Sequence, residues 1–368
     1  AKIGSNHNSR GNDGEMVAGR GFWPALSSTL KYDCKFASYV LIAKGNYPHE
    51  LNILLPFCLL GADSKEGRRV VMPAYWWMYN LYALERNSYK YRKRDKRHVI
   101  RQQIETDYLA PDTVNEIFEA CDLLCEWVGM NYNRAHSSSL ERTELIHQGH
   151  TMITTRSAEV QSMQIYAWEL ENSNEPVEVL KTVEAYKAYQ QMLRYYAVKT
   201  LSSWCITHDM TINDFQHTHA VTLDPWLNIG GQLVPEHRVN ALKDDLKNGT
   251  ITSWDAVHDV YAHWFSLYEE DRAVHALATL LKVLESAEVN QVQWEQVVEE
   301  VADIRMEIEN QVFKTKEKDF NNRFRSSTYR NDEERDAVLG SLDDNPFIQE
   351  SKQITERVLS QIRSVRFS

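Results

Sequence analysis

Hydrophobic and polar residues follow two different patterns along the chain, and the change falls near residue 100. In the first part, short apolar runs alternate with Gly, Asn, Asp and Ser, as in residues 1–14 and 36–45. Such runs, rich in β-forming residues and stopped by Gly, are typical of short strands that turn corners. In the second part, apolar residues recur at spacings of three and four, which indicates amphipathic helices.

The first pattern predicts the end of a β-solenoid. Small or branched apolar residues suit the inward positions of stacked solenoid strands, and Gly, Asn, Asp and Ser suit the corners. The inward candidates are Ile3, Val17, Val40 and Ile42. Because this pattern is already present at residue 1 and the chain opens with Ala, we expect a fragment or processed product whose N-terminal part is missing.

The second pattern predicts a large, mainly α-helical domain. Thr113 and Glu116 have the spacing of a capping box just after Pro111. Another helix is expected from near Pro176, and Ser253 is the expected N-cap of a third. A last helix is expected from about residue 347. Between them, an apolar seam indicates an antiparallel hairpin or a subunit contact, and it comprises Val297, Val301, Ile304, Ile308 and Val312.

Composition limits the classes of protein that the chain can represent. Its 368 residues, 43% hydrophobic and 11% aromatic, are typical of a folded globular protein. The net charge of -11 argues against a general nucleic-acid binder, which needs a cationic surface. Five scattered cysteines are too few for a disulfide framework and suit a reducing compartment. No apolar run reaches the roughly 20 residues of a membrane span, so we expect a cytoplasmic protein that contacts no membrane.

A resemblance to known proteins rests on four stretches, residues 3–10, 36–45, 55–57 and 91–97. They resemble an uncharacterised bacterial family, common in Bacteroidetes and spirochaetes, whose members are longer proteins. The resemblance implies an α+β fold, with the C-terminal coils of a left-handed parallel β-helix followed by a large, mainly α-helical domain. It implies no established reaction. The expected domains are residues 1–72 (end of the β-helix and a crossing segment), 73–110 (an aromatic and basic junction) and 111–368 (the helical domain).

The sharpest candidate for chemistry is the polar segment at residues 6–10. His7 is a candidate general base that would deprotonate a sugar hydroxyl or amine for acyl transfer, since its ordinary pKa lies near neutrality. Asn6 and Asn8 are candidates for orienting His7 or for holding an oxyanion. Arg10 is a candidate for holding a phosphate. The alternative is a polar corner in which Asn and Ser cap turns and His7 hydrogen-bonds only to backbone.

A second candidate is the basic run at residues 90–98. Within it, Lys93, Arg94 and Arg97 are candidate ligands for a phosphate, a nucleotide or an anionic partner. The alternative is a solvated helix face, or pairing with acidic residues elsewhere. The aromatic residues at 75–82 suit a sugar pocket, although a core or interface where the solenoid meets the helices is the favoured interpretation.

Metal binding is not expected from the sequence. Pairs of histidines at residues 147 and 150, 217 and 219, and 258 and 263 lack a convincing third ligand. Cys121 and Cys125 lie one turn apart on an apolar helix face and indicate core packing. No segment has the ligand spacing of a structural zinc site.

Two functional hypotheses follow. The first is an enzyme of sugar or sugar-nucleotide metabolism, resembling an acyltransferase or nucleotidyltransferase, with a site at the solenoid rim and acetyl-CoA or a nucleotide sugar as its ligand. That hypothesis extends a fold-level analogy with the hexapeptide-repeat acyltransferases. The second is a non-catalytic oligomeric scaffold, favoured by the seam at residues 297–312. Because left-handed solenoids often form trimers, the expected assembly is a homotrimer.

Overall fold

The computed structural model describes residues 2–5, 14–62, 67–100, 102–136 and 140–368. The chain forms two compact units, each assembled from two separate segments. The first unit comprises Ala1–Asn80 and Asn115–Gln190, and the second comprises Leu81–Val114 and Gln191–Ser368. The domain boundaries expected from the sequence lie elsewhere, after residues 72 and 110, and they stay a prediction.

The first unit contains short strands followed by helices. Its strands are β1 (Lys2–Ser5), β2 (Gly14–Ala18), β3 (Trp23–Pro24), β4 (Ser28–Leu30), β5 (Cys34–Phe36), β6 (Leu41–Ile42), β7 (Gly45–Tyr47), β8 (Asn52–Ile53), β9 (Leu59–Ala62), β10 (Arg69–Met72), β11 (Ile165–Ala167) and β12 (Val177–Val179). Its helices are α1 (Tyr75–Tyr79), most of α3 (Pro111–Ala135), α4 (Arg142–Thr154), α5 (Ala158–Ser162) and the start of α6 (Thr182–Thr207).

Strand pairing in this unit is mixed. Five parallel strand pairs among β2 to β9 join residues 17 or 18 positions apart, as Met16 pairs with Cys34 and Lys35 with Asn52. Antiparallel pairs join β1 to β2 and β9 to β10, while β12 pairs in parallel with β10 and antiparallel with β11. Within the described residues, these strands are distributed over three small sheets.

The predicted β-helix is therefore wrong, because none of these sheets forms a solenoid. Short strands and turn residues are local properties that a solenoid shares with small mixed sheets, whereas strand pairing depends on residues that are distant in sequence. Val40 and Ile42 are buried as predicted, but Val17 is 44% exposed. The side chain of Ile3 lies outside the described residues. The α+β class itself is confirmed.

Several polar contacts within the first unit join segments that are distant in sequence. The Tyr189 hydroxyl donates to the carbonyl of Pro56 at 2.7 Å and accepts from the amide of Ala74 at 3.3 Å. Glu116 accepts from the amide and the hydroxyl of Ser38 at 3.0 and 3.2 Å. Glu116 thus bonds to another segment, although the sequence assigned it to a capping box. Thr113, its expected partner, lies inside α3, which begins at residue 111.

The second unit is built from helices and one β-hairpin. Its remaining elements are α2 (Leu81–Arg94), α7 (Ile212–Thr218), β13 (Trp226–Ile229), β14 (Gln232–Pro235), α8 (Glu236–Lys247), α9 (Trp254–Val283), α10 (Gln291–Asn321), α11 (Arg323–Ser326), α12 (Asp332–Leu339) and α13 (Pro346–Ser364). The helix expected from near Pro176 begins instead at Thr182, after β12. Ser253 caps α9 as predicted, since its hydroxyl accepts from the amide of Ala256 at 3.2 Å.

The apolar seam predicted on α10 is confirmed as a buried surface. All five seam residues are buried, and α10 packs against both α2 and α13. α13 begins at Pro346, close to the expected position, and buries Phe347, Val358 and Ile362. These buried residues of α13 and the seam of α10 thus contribute to one core, because burying two apolar helix faces together removes both from water.

Candidate functional site: a cationic groove along α2

The structure separates the candidate residues found in the sequence. Asn6, His7, Asn8 and Arg10 lie outside the described residues. The basic run is described: Lys93 and Arg94 end α2, and Arg97 follows in the loop. The geometry of a candidate site can therefore be built only around the basic run.

α2 has a sequence that places two kinds of side chain on different faces. Leu81, Leu84 and Glu85 are buried. A residue in a helix is followed by its neighbours on the same face at positions three and four further on. Tyr82, Arg86, Tyr89, Lys90 and Lys93 follow that spacing, so one face of α2 carries aromatic and basic side chains together.

This face borders a groove of about 630 Å³, which we call the α2 groove. Tyr82 and Tyr89 each pack on Phe347 from α13, with ring centroids 5.4 and 5.3 Å apart. Among the described residues that line the groove, none is acidic. The basic ones number six, namely Arg86, Lys90, Lys93, Arg94, Lys96 and Lys316.

The cations of the groove repel one another. Burial lowers the pKa of Lys90, and the charges of Arg86 and Arg94, four residues away on either side, lower it further. Lys93 is held over the ring of Tyr89 at 5.3 Å and donates to its hydroxyl at 2.8 Å. Like charges at this spacing destabilise a helix by a few tenths of a kcal/mol per pair, so a bound anion would stabilise α2.

Arg97 is not part of the groove. Its guanidinium forms a two-point ion pair with Asp95, with Nε to Oδ1 at 2.9 Å and Nη2 to Oδ2 at 2.6 Å. Hydrogen bonds from Arg97 lower the pKa of Asp95 to about 2. Because each charge neutralises the other, Arg97 is a weaker candidate for phosphate binding than Lys93 and Arg94, which both line the groove.

Two contributors to the groove could not be found by local reasoning. Phe347 and Lys316 lie more than 200 residues after α2 and reach the groove only through folding. Arg86 precedes the basic run. Its spacing of four residues from both Tyr82 and Lys90 places it on the same face of a helix, so helical periodicity could have identified it. Of the aromatic stretch, Trp76 and Trp77 are buried, and Tyr82 lines the groove.

Other site types find little support in the described part of the chain. It contains no group of three or more His, Cys, Asp or Glu side chains placed to hold a metal ion. The cysteines at 34, 58, 121, 125 and 205 are buried as thiols and not joined in disulfides. No helix within the same ranges has both the length and the apolar character that a membrane crossing requires.

Comparison with known proteins gives two similarities, neither of which carries an activity. Residues 207–362 match the model of a domain of unknown function, DUF6819. The chain is 39% identical over 357 residues to an uncharacterized protein of Treponema pallidum (strain Nichols), an alignment that covers 95% of this chain and 48% of that protein. The chain thus spans about half the length of this relative. No solved structure gives a significant match.

These matches support the predicted resemblance to an uncharacterised bacterial family. They do not support the β-helix that the resemblance implied. α2 precedes the matched residues 207–362, whereas Lys316 and Phe347 lie within them.

Proposed function

We propose that the second unit binds a small phosphate-bearing molecule, of the sugar-phosphate or nucleotide-sugar class, in the α2 groove. The observation that carries this proposal is the set of six basic side chains around three aromatic rings, with no acidic side chain among the described lining residues. One of the six, Lys316, is paired with Asp319 at 2.8 Å, so the excess of positive charge comes from the other five. In a chain with a net charge of -11, such a local excess of positive charge is contrary to the overall composition.

Electrostatics supports an anionic ligand. Phosphate oxygens accept charge-assisted hydrogen bonds from Lys and Arg, and a bound phosphate would offset the repulsion among Arg86, Lys90 and Arg94. The N-terminal end of α13 also borders the groove through Asn345 and Pro346. The positive end of the helix dipole adds to the attraction for an anion.

The aromatic residues and the size of the groove support a ligand with a ring. Sugar rings and bases pack on aromatic faces, and Tyr82 and Tyr89, which pack on the buried Phe347, offer such rings at the groove. A volume of about 630 Å³ lies in the range of small-molecule sites. Acetyl-CoA, which also carries phosphates and a base, therefore belongs among the ligands to be tested.

The proposal concerns binding and not a reaction. A transferase acting on a sugar or sugar nucleotide stays a prediction, since His7, its candidate base, lies outside the described residues. The oligomeric scaffold, the homotrimer and the cytoplasmic location also stay predictions. The seam cited for the scaffold is buried by packing inside the second unit, so those side chains offer no surface to a second copy.

The test is isothermal titration calorimetry of the full chain with UDP-glucose, glucose 6-phosphate, acetyl-CoA and pyrophosphate. We expect at least one ligand to bind, with an affinity that falls as salt rises, because counterions screen exposed charges. The variants Lys93→Gln and Arg94→Gln should each weaken binding by about tenfold, the cost of one charge-assisted hydrogen bond.

The matched control is Lys352→Gln, which removes one positive charge from an exposed position on α13 that does not line the groove. It should leave this affinity within about twofold. The proposal fails if none of the four ligands binds at millimolar concentration. It also fails if the two groove variants bind as the unaltered chain does.

A further inference from the structure

A second cavity, of about 500 Å³, lies within the second unit, and α2 borders it too. Glu85, Ser88 and Arg92 line it from α2. These residues are spaced by three and four positions, so they share one face of α2. That face differs from the one that lines the α2 groove. The other walls come from residues 107–108 and from α6, α9, α10 and α13.

One wall of this cavity is a closed set of ion pairs centred on Asp107. Lys199 Nζ lies 2.7 Å from Asp107 Oδ2, and Arg272 Nη2 lies 3.0 Å from the same oxygen. Burial raises the pKa of Asp107, but the two cations outweigh burial and hold the pKa far below its usual value. Arg272 also approaches Glu105 at 3.8 Å. These charges balance one another and leave little to attract a ligand.

A second wall is centred on Glu85. This carboxylate accepts from the Tyr108 hydroxyl at 2.7 Å and from Arg305 Nη1 at 3.4 Å. Arg305 also donates to the hydroxyls of Tyr195 at 3.3 Å and Thr355 at 3.0 Å. Again, the charged groups are paired with each other.

The charges of these two walls are paired, but several hydrogen-bond donors of the residues that line the cavity have no acceptor among the described residues. Thr200 Oγ1, Trp204 Nε1 and Arg272 Nε are buried without a hydrogen-bond partner among the described residues, and all three residues line the cavity. The exposed carboxylate of Glu269 lines the cavity as well, but two exposed arginines that line it, Arg92 and Arg357, outnumber that carboxylate. Neither arginine has an ion-pair partner in the described part of the chain. A buried donor without a partner costs about 1–3 kcal/mol, which a ligand with acceptor atoms would recover.

We propose that this cavity binds a small hydroxylated molecule that carries an oxyanion, either a carboxylate or a phosphate monoester. Arg92 and Arg357 bind the oxyanion, since guanidinium groups match carboxylate and phosphate oxygens in two-point geometry. Thr200 and Trp204 donate to the remaining oxygens of the ligand. The site is separate from the α2 groove, so the proposal does not depend on the function assigned to that groove.

The test is calorimetric titration of the full chain with L-malate and with sn-glycerol 3-phosphate. We expect at least one to bind, and Arg92→Gln and Arg357→Gln each to weaken that binding by about tenfold. Binding of malate alone assigns a carboxylate, and binding of glycerol 3-phosphate alone assigns a phosphate. The control Lys352→Gln should leave this affinity within about twofold, because Lys352 is exposed on α13 and does not line the cavity.

Thr200→Val separates binding from a structural role. Valine has nearly the shape of threonine, and it removes a buried hydroxyl that has no hydrogen-bond partner among the described residues. We therefore expect the melting temperature of the ligand-free protein to stay equal or rise, and the affinity for the probe to fall. The proposal is overturned if neither probe binds at about 10 mM, or if Arg92→Gln and Arg357→Gln both bind like the unaltered chain. A fall in melting temperature with unchanged affinity for Thr200→Val would also contradict it.

Discussion

At the residue scale, the second unit depends on charges that have been removed from water. Arg305 is 1% exposed, and Glu85, its ion-pair partner, is 9% exposed. Taking such charges out of water is costly, and the cost is offset only when all the hydrogen-bonding groups find partners. Each nitrogen of the Arg305 guanidinium has at least one partner: Nε bonds to Thr355, Nη1 bonds to Glu85 and Tyr195, and Nη2 bonds to the carbonyl of Ser351.

We expect Arg305→Met to lower the free energy of unfolding by about 3–5 kcal/mol, because it leaves the Glu85 carboxylate buried without its cation. The measurement is urea denaturation at pH 7. The control is Arg363→Met on an exposed pair, where Arg363 is 49% exposed and lies 3.2 Å from Glu299. That change should cost less than about 1 kcal/mol. Equal losses for the two variants would contradict the importance assigned to the buried pair.

His275 gives the second unit a pH dependence. Burial lowers the pKa of His275 to about 3, and the nearby charge of Arg272 contributes to the shift. Tyr196 approaches its Nδ1 at 3.1 Å. Because the folded pKa lies below the unfolded value of about 6.5, the unfolded chain takes up the proton first. Stability is therefore full above about pH 6.5 and falls as pH drops towards 3, by up to about 1.4 kcal/mol per pH unit.

The variant His275→Gln should reduce the slope of the free energy of unfolding against pH between pH 6.5 and 4.5. The reduction corresponds to the uptake of about one proton on unfolding. Urea denaturation at several pH values measures it. His258→Gln, an exposed position on the same helix, serves as the control and should leave the slope unchanged. A slope that is equal in both variants would show that His275 is protonated in the folded chain.

At the element scale, α3 and α4 approach so closely that only glycine fits between them. A Cβ atom on Gly149 would lie 1.9 Å from the carbonyl oxygen of Cys125, and one on Gly129 would lie 2.3 Å from that of Leu145. Both obstacles are backbone atoms, which cannot rotate away as a side chain does. The distance between the helices is thus set by the lack of a side chain at two positions.

We expect Gly149→Ala to destabilise the first unit by about 2 kcal/mol or more, because the helices must separate to admit a methyl group. Alanine at an ordinary helix position would instead stabilise by about 1 kcal/mol. The exposed position Thr151 on the same helix supplies the control, and Thr151→Ala should be neutral or slightly stabilising. Thermal denaturation of the two variants decides the matter, and a melting temperature that rises for Gly149→Ala would refute the close contact.

At the scale of the whole molecule, each unit is assembled from two segments that are distant in sequence. In the second unit, residues 81–114 supply Glu85, Glu105 and Asp107, whereas residues 191–368 supply the cations that pair with them. The family match at residues 207–362 therefore covers only part of this unit. Arg272 and Arg305 lie in the matched part, but the carboxylates that pair with them lie before it, in residues 81–114.

We expect residues 191–368, produced alone, to melt at least about 10 °C below the full chain or to be unfolded, because Lys199, Arg272 and Arg305 lose their carboxylate partners. Joining residues 81–114 to 191–368 through a flexible linker should restore cooperative unfolding. Circular dichroism against temperature compares the three chains. A fragment of residues 191–368 that melts like the full chain would show that the acidic segment is dispensable.

The sequence by itself determined the local structure. Periodicity identified the buried seam of α10 and the last helix, an N-cap residue marked the start of α9, and charge spacing indicated that Lys93 and Arg94 share a basic segment. These features depend on residues within one or two turns of each other. The same reasoning failed for the β-helix, because corners and short strands do not specify which strands pair.

The tertiary structure decided everything that joins distant residues. It brought Phe347 and Lys316 to α2, and it enclosed Asp107 between Lys199 and Arg272. The physical reason is that a charge or a ring becomes a binding group only through its surroundings: burial, neighbouring charges and unpaired donors come from other segments of the chain.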